Sequence, residues 1–225
     1  MAGEKEAEQC LVVPREYLFG LDDERVFDGY RSARDWGHHL GSSILELAVS
    51  KHGIFKPRKT ADPREDIEKN PAYTQIIPCA LFLYDGRIFT YTRLPGSGEQ
   101  RLMGRHDILI GGHVNPPDYV STRTLTENLG IALRRELEEE VIHPEGYDLG
   151  DIIGYVNDST DTLGRVHFGV VFRIDAKSSD IRVRETEAMR GSLLSVGEIE
   201  QLNPPLTSWH QALFEAYKRG ELGKR

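Results

Sequence analysis

Residues 135–140 read Arg-Glu-Leu-Glu-Glu-Glu, a string with the donor chemistry of a cation cradle. At about 100° per helical residue, Glu136, Glu139 and Glu140 fall within an arc of roughly 100°, beside an apolar stripe of Leu133, Leu137 and Val141. Glutamates four apart on a helix repel by roughly 0.2–0.5 kcal/mol per pair, so Glu136 and Glu140 oppose helix formation unless something positive lies between them. Hard carboxylate oxygens on a rigid element suit Mg2+ or Mn2+, which take a few carboxylates together with water and substrate phosphates. Arg135 is placed to reach Glu139 and fix its rotamer, while Arg134 can pair with Glu138 in solvent. Taken alone, the string also fits a solvated helix face laced with ion pairs, and the neighbouring sequence has to decide between the two.

Upstream, Ile108-Leu109-Ile110-Gly111-Gly112-His113-Val114 reads as a strand breaking on a glycine turn, and Glu127 stands eight positions before Arg135. These features resemble the signature of the Nudix hydrolases: Gly, five residues, Glu, seven residues, Arg-Glu, an aliphatic, any residue, Glu-Glu, any residue, Gly, an aliphatic. The resemblance covers residues 75–200. It implies an α/β fold, the Nudix-type α/β/α sandwich with a mixed sheet, here with an N-terminal extension. It also implies a pyrophosphohydrolase that uses Mg2+ or Mn2+ to cut the diphosphate linkage of a nucleoside diphosphate-X substrate. The alternative is a catalytically silent module of the same fold that binds a nucleotide-like ligand as a sensor or regulator.

The spacing departs from the signature in two places. Fourteen residues separate Gly112 from Glu127 where the signature has five, so residues 115–124 form an insertion. Asp118, six positions after Gly112, and Glu127 therefore compete for the first acidic position. Glu127 is preferred, because the helix is rigid whereas a loop absorbs extra residues at little entropic cost. Thr124-Leu125-Thr126-Glu127 also reads as a capping box, in which Glu127 is structural; Asn128 is the N-cap if the family's boundary holds. At the far end Ile142 and His143 replace the closing glycine and aliphatic, and Pro144 and Gly146 are expected to stop the helix slightly later.

The resemblance implies Glu136, Glu139 and Glu140 as metal ligands. Arg135 and Glu127 belong to the implied catalytic set, with Glu139 or a later-loop acid, Glu187 ahead of Glu185, accepting the proton of the attacking water. Arg93, Arg105, Gly111, Gly112 and His113 are the candidate substrate contacts, Arg93 at the end of a strand and Arg105 with Arg101 beside the glycine-rich segment 96–100. His167, within the apolar run 166–172, could face the same cleft or sit in the core. His38 and His39 have no partner at metal-ligand spacing and are read as structural.

Composition agrees with a metal-assisted enzyme of small anions. The 225 residues, 39% hydrophobic, suffice for one core with an added lobe. The net charge of −8 argues against binding a nucleic acid polymer, which needs a basic surface to displace counterions. No apolar run approaches the roughly 18 residues of a membrane span, and the charged first residues do not look like a signal peptide, so no membrane partner is expected and the cytoplasm is the expected compartment. Cys10 and Cys79 give neither a disulfide framework nor metal spacing.

Along the chain, residues 1–9 read as a disordered tail, 10–72 as an N-terminal extension packed on the core, and 73–225 as the Nudix domain. Strands are expected over 10–13 and 17–19, and a helix after an N-cap at Ser42 or Ser43. Residues 56–72 read as a connecting loop, followed by a hairpin of two strands around Asp85-Gly86. Further strands are expected near 107–114, 150–157, 164–174 and 190–195, with helices near 196–202 and 207–219. A homodimer built through the extension would follow the family only by analogy.

Overall fold

The run Tyr73–Tyr84 has almost no polar interruption, and it becomes the central strand because both of its faces are covered. The computed structural model describes residues 8–36, 38–39, 42–62, 64–95, 103–143, 146–160 and 162–222. Its strands are β1 (Gln9–Pro14), β2 (Gly29–Ser32), β3 (His38–His39), β4 (Ser42–Ser43), β5 (Ile54–Pro57), β6 (Tyr73–Tyr84), β7 (Arg87–Arg93), β8 (His106–Asp107), β9 (Leu109–Gly111), β10 (Val141–Ile142), β11 (Ile152–Asn157), β12 (His167–Asp175), β13 (Arg182–Val183) and β14 (Met189–Leu194). The helices are α1 (Arg15–Phe19), α2 (Ile44–His52), α3 (Leu125–Glu140), α4 (Val196–Glu200) and α5 (Ser208–Lys218).

The main sheet runs β14-β7-β6-β12-β11-β2, with β1, β8 and β9 pairing onto β6 and β7. It is mixed: β12 lies parallel to β6, with His167 opposite Gln75, while β7, β9 and β1 pair antiparallel. Alternation along β6 feeds two cores. Ile76, Ala80 and Phe82 join the buried cluster under α3, whereas Cys79, Leu81 and Leu83 join the one under α5. The architecture is therefore an α/β/α sandwich. Leu129, Leu133 and Leu137 of α3 are completely buried. At roughly 1.5–3 kcal/mol for each such side chain, their burial far exceeds the repulsion between Glu136 and Glu140, so the acidic helix forms.

Several local expectations meet the structure directly. Asp85 and Gly86 both have positive φ, 46° and 71°, as the tight turn joining β6 to β7 requires. Ser43 Oγ accepts from Glu46 N at 3.2 Å, capping α2. Residues 17–19 are not a strand: they belong to the short helix α1, whose Leu18 and Phe19 turn into the core together. Ordered backbone begins before residue 10, since β1 starts at Gln9 and Glu8 pairs with Arg58 at 3.1 Å; residues 1–7 lie outside the described chain. The expected loop 56–72 begins inside β5. Helix α3 ends at Glu140 rather than near Gly146, because Val141 and Ile142 leave it to pair with Val183 and Arg182.

Candidate active site

Arg135 organises the acidic end of α3. Its Nε and Nη2 reach the two oxygens of Asp118 at 3.2 and 2.9 Å. Nη2 also donates to Asn115 Oδ1 at 2.7 Å and to the His113 carbonyl at 2.9 Å. Nη1 donates to Glu136 Oε1 at 2.8 Å and approaches Glu139 Oε1 at 3.5 Å. The guanidinium thus fastens the loop after Gly112 to the helix and orients two of the proposed ligands. All three of its guanidinium nitrogens are engaged by protein acceptors.

The competition for the first acidic position is decided by the insertion. Asp118 is buried at the end of a single 3-10 turn, Pro116–Asp118, where its carboxylate also accepts from Asn115 N at 2.8 Å. It, and not Glu127, meets Arg135. Glu127 closes the capping box instead: Oε2 accepts from Thr124 N and Thr124 Oγ1, both at 2.8 Å, and these bonds hold its pKa below the ordinary carboxylate value. Nine residues of helix, about 13 Å, separate it from Glu136. The preference for Glu127 fails because the extra residues lie on the helical side of Asp118. Asn128 is not the N-cap: fully buried, it grips the insertion through Val120, accepting from its N at 3.0 Å and donating to its O at 3.1 Å.

Glu136 is held against the glycine turn. A Cβ on Gly111 would stand 2.1 Å from the Pro78 carbonyl oxygen, so that position requires glycine, and one on Gly112 would stand 2.2 Å from Glu136 Cδ and displace that carboxylate. Burial raises the Glu136 pKa and Arg135 opposes that rise. Glu140 is half-buried and acts electrostatically on Tyr91 and Arg93, whereas the Glu139 side chain is 60% exposed. The three carboxylates share one side of α3 and their hard oxygens fit Mg2+ or Mn2+, but among the described residues they do not converge on a point. The sets that do converge within 4.8 Å are Glu8, Cys10 and His113, and Glu68, His113 and His167.

Beside this end of the helix lies a cavity of about 570 Å3. Arg93, Arg105, Gly111, Gly112 and His113 all line it, so the expected substrate contacts come together; Arg101 and residues 96–100 lie outside the described chain. His167 faces the same cavity. Arg93 is braced by Asp107 Oδ2 at 3.4 Å and Tyr91 Oη at 3.3 Å. Burial works against its charge, but Tyr91, Asp107 and Glu140 outweigh that and raise its pKa. Glu185 and Glu187 are exposed, in a loop tied to both ends of the site: Arg184 N donates to the Glu140 carbonyl at 2.8 Å and Met189 pairs with Arg93.

The start of α5 supplies residues that sequence reasoning missed. Thr207 Oγ1 donates to Asp107 Oδ1 at 2.7 Å. His210 Nδ1 accepts from the Ile108 and Leu109 amides at 2.9 and 3.1 Å, leaving Nε2 toward Asp107 at 3.4 Å. Burial pushes the His210 pKa down. Trp209 adds an aromatic wall. These positions lie about 100 residues from their partners in the chain, and no local spacing announces them.

No family model matches the chain. Protein YmaB of Bacillus subtilis (strain 168) is 28% identical over 208 residues, 91% of this chain and 94% of that protein. Among solved structures, the crystal structure of Tm1382, whose assignment as a Nudix hydrolase is itself provisional, superposes with a TM-score of 0.66 at 23% identity, covering 94% of this chain and 99% of that one. A MutT protein from Methanosarcina mazei Go1 gives a TM-score of 0.48 at 25% identity, over 64% of this chain and 93% of that one.

Proposed function

We propose that this chain, which has the Nudix fold, hydrolyses the diphosphate linkage of a nucleoside diphosphate-X substrate with Mg2+ or Mn2+. The observation that carries the reading is the knot at Arg135, which presses Glu136 against Gly112 at the mouth of a cavity lined by Arg93 and Arg105. Glu136, Glu139 and Glu140 would hold the cation, which would neutralise the phosphate oxygens and acidify the attacking water.

The chain's own residues do the rest. Arg93, stiffened by Asp107 and Tyr91, and the exposed Arg105 bind the phosphates as charge-assisted donors. Trp209, with Ile77 and Leu206 nearby in the cavity lining, offers a flat apolar surface for the nucleoside. Glu139 or Glu187, both exposed to water, accepts the proton of the attacking water. Glu139→Gln with Glu140→Gln should abolish metal-dependent phosphate release from a panel of nucleoside diphosphate derivatives. Unchanged turnover in that variant refutes the assignment. The silent-module reading draws on the outward-turned Glu139; saturable nucleotide binding with no cleavage at any Mg2+ or Mn2+ concentration would select it.

A further inference from the structure

A second group of ligand atoms lies at the seam between the N-terminal extension and the sheet, on the wall of the cavity that flanks the acidic end of α3. Glu68, His113 and His167 each offer one donor atom, all within 4.8 Å of one another. They come from three unrelated stretches: the segment after β5, the turn after Gly112, and the first residue of β12. We propose that these residues bind a single borderline transition-metal ion, of the Zn2+, Co2+ or Fe2+ class, that staples the extension to the sheet.

The hydrogen bonds around the two imidazoles assign their protons. His167 Nδ1 lies 2.7 Å from the Leu163 carbonyl oxygen, which can only accept, so Nδ1 carries the proton and Nε2 the lone pair. Gln75 donates through Nε2 to the Ile67 carbonyl at 3.2 Å, turning its Oε1 toward His113 Nε2 at 2.9 Å. His113 is therefore protonated on Nε2, and its Nδ1 stands 3.6 Å from Glu8 Oε1. Imidazoles oriented by a carbonyl on one nitrogen are the usual arrangement of metal-ligating histidines.

Charge supports a cation as well. Glu8 and Glu68 share one guanidinium, Arg58, at 3.1 and 2.8 Å, so two negative charges meet one positive charge in a place where all three side chains are less than one-fifth exposed. Arg58 engages Glu68 through Oε1, which leaves the second oxygen of that carboxylate for a ligand bond. Two nitrogens and one carboxylate oxygen select borderline divalent ions over Mg2+. A tetrahedral ion about 2.1 Å from each donor spaces them about 3.4 Å apart, so binding would draw the three side chains together from the 4.8 Å range in which they lie. Cys10 belongs to the neighbouring set, but burial and Glu8 push its thiol pKa up, so it stays protonated.

Co2+ titration of the apo chain in excess Mg2+, followed by visible ligand-field absorption and equilibrium dialysis, tests the site. The expected result is one equivalent bound without displacement by Mg2+, with Zn2+ competing. His167→Gln and Glu68→Gln should each weaken Co2+ by more than the roughly 10–100-fold that loss of a merely orienting group produces. Glu139→Gln with Glu140→Gln should leave the binding intact. Absence of saturable Co2+ binding overturns the proposal. So does binding that survives His167→Gln and Glu68→Gln but is lost with Glu139 and Glu140. Circular dichroism of each variant excludes misfolding, and because the readout is binding, its outcome is separate from whether the chain cleaves diphosphates.

Discussion

The two ends of α3 carry the same residue type in opposite roles. At the N-terminal end Glu127 folds back on Thr124, and Asn128 grips the insertion; their polar groups are spent on the helix and its entry. At the C-terminal end one arginine holds Glu136 and Glu139, with Glu140 on the same side of the helix, beside a turn whose Gly111 leaves no room for a Cβ. The apolar stripe of Leu129, Leu133 and Leu137 runs beneath both and stabilises both alike. The difference teaches that a glutamate becomes a candidate ligand when an arginine and a tight turn hold it at a cavity, and not when a capping hydroxyl takes up its oxygens. Glu127 has Thr124 within reach, whereas Glu136 has the Gly112 turn and Arg135.

Substitutions should separate the two ends. The largest effect is expected from Arg135→Ala, which leaves the buried Asp118 carboxylate without its guanidinium; a stability loss of about 3 kcal/mol should appear in urea unfolding, together with loss of metal-dependent turnover. Gly112→Ala drives a methyl into the Glu136 carboxylate, and since displacement by about 1 Å can lower rates about 100-fold, turnover should fall by that order in steady-state assays. Asn128→Ala removes both hydrogen bonds that this fully buried side chain makes to the Val120 backbone and should cost about 2 kcal/mol. Thr124→Ala should cost about 1 kcal/mol and leave turnover and divalent-ion stabilisation unchanged. A Thr124 variant that lost divalent-ion stabilisation would break the contrast between the ends.

The smallest effect is a pH slope outside the helix. His210 has its folded-state pKa held below 6.5 by burial, so the unfolded chain takes up the proton first. Stability is retained above that value and declines as the pH falls through the ordinary histidine range. Thermal melts across that range should show a flatter profile for His210→Gln.

Most of the framework could be read from local patterns. The Asp85-Gly86 hairpin, the helix capped by Ser43 and the acidic face of α3 all follow from short-range rules of turn geometry, capping and helical period. The segment 17–19 misled because a five-residue helix is too short to show a period, and the helix end was placed late because pairing of β10 with β13 leaves no mark near residue 141. The spacing left Asp118 and Glu127 as rivals, since an insertion can lie on either side of the first acid.

The amino-acid order alone therefore determined that one helix would bury leucines and expose clustered carboxylates after a glycine turn, because period and steric demand act within a few residues. Tertiary structure alone decided which acid meets Arg135, that Asp107, Thr207 and His210 stand behind Arg93, and that Glu68 reaches His113 and His167. Those contacts join residues distant in the chain, and only the packing of sheet, extension and terminal helix brings them within hydrogen-bonding or ligand range.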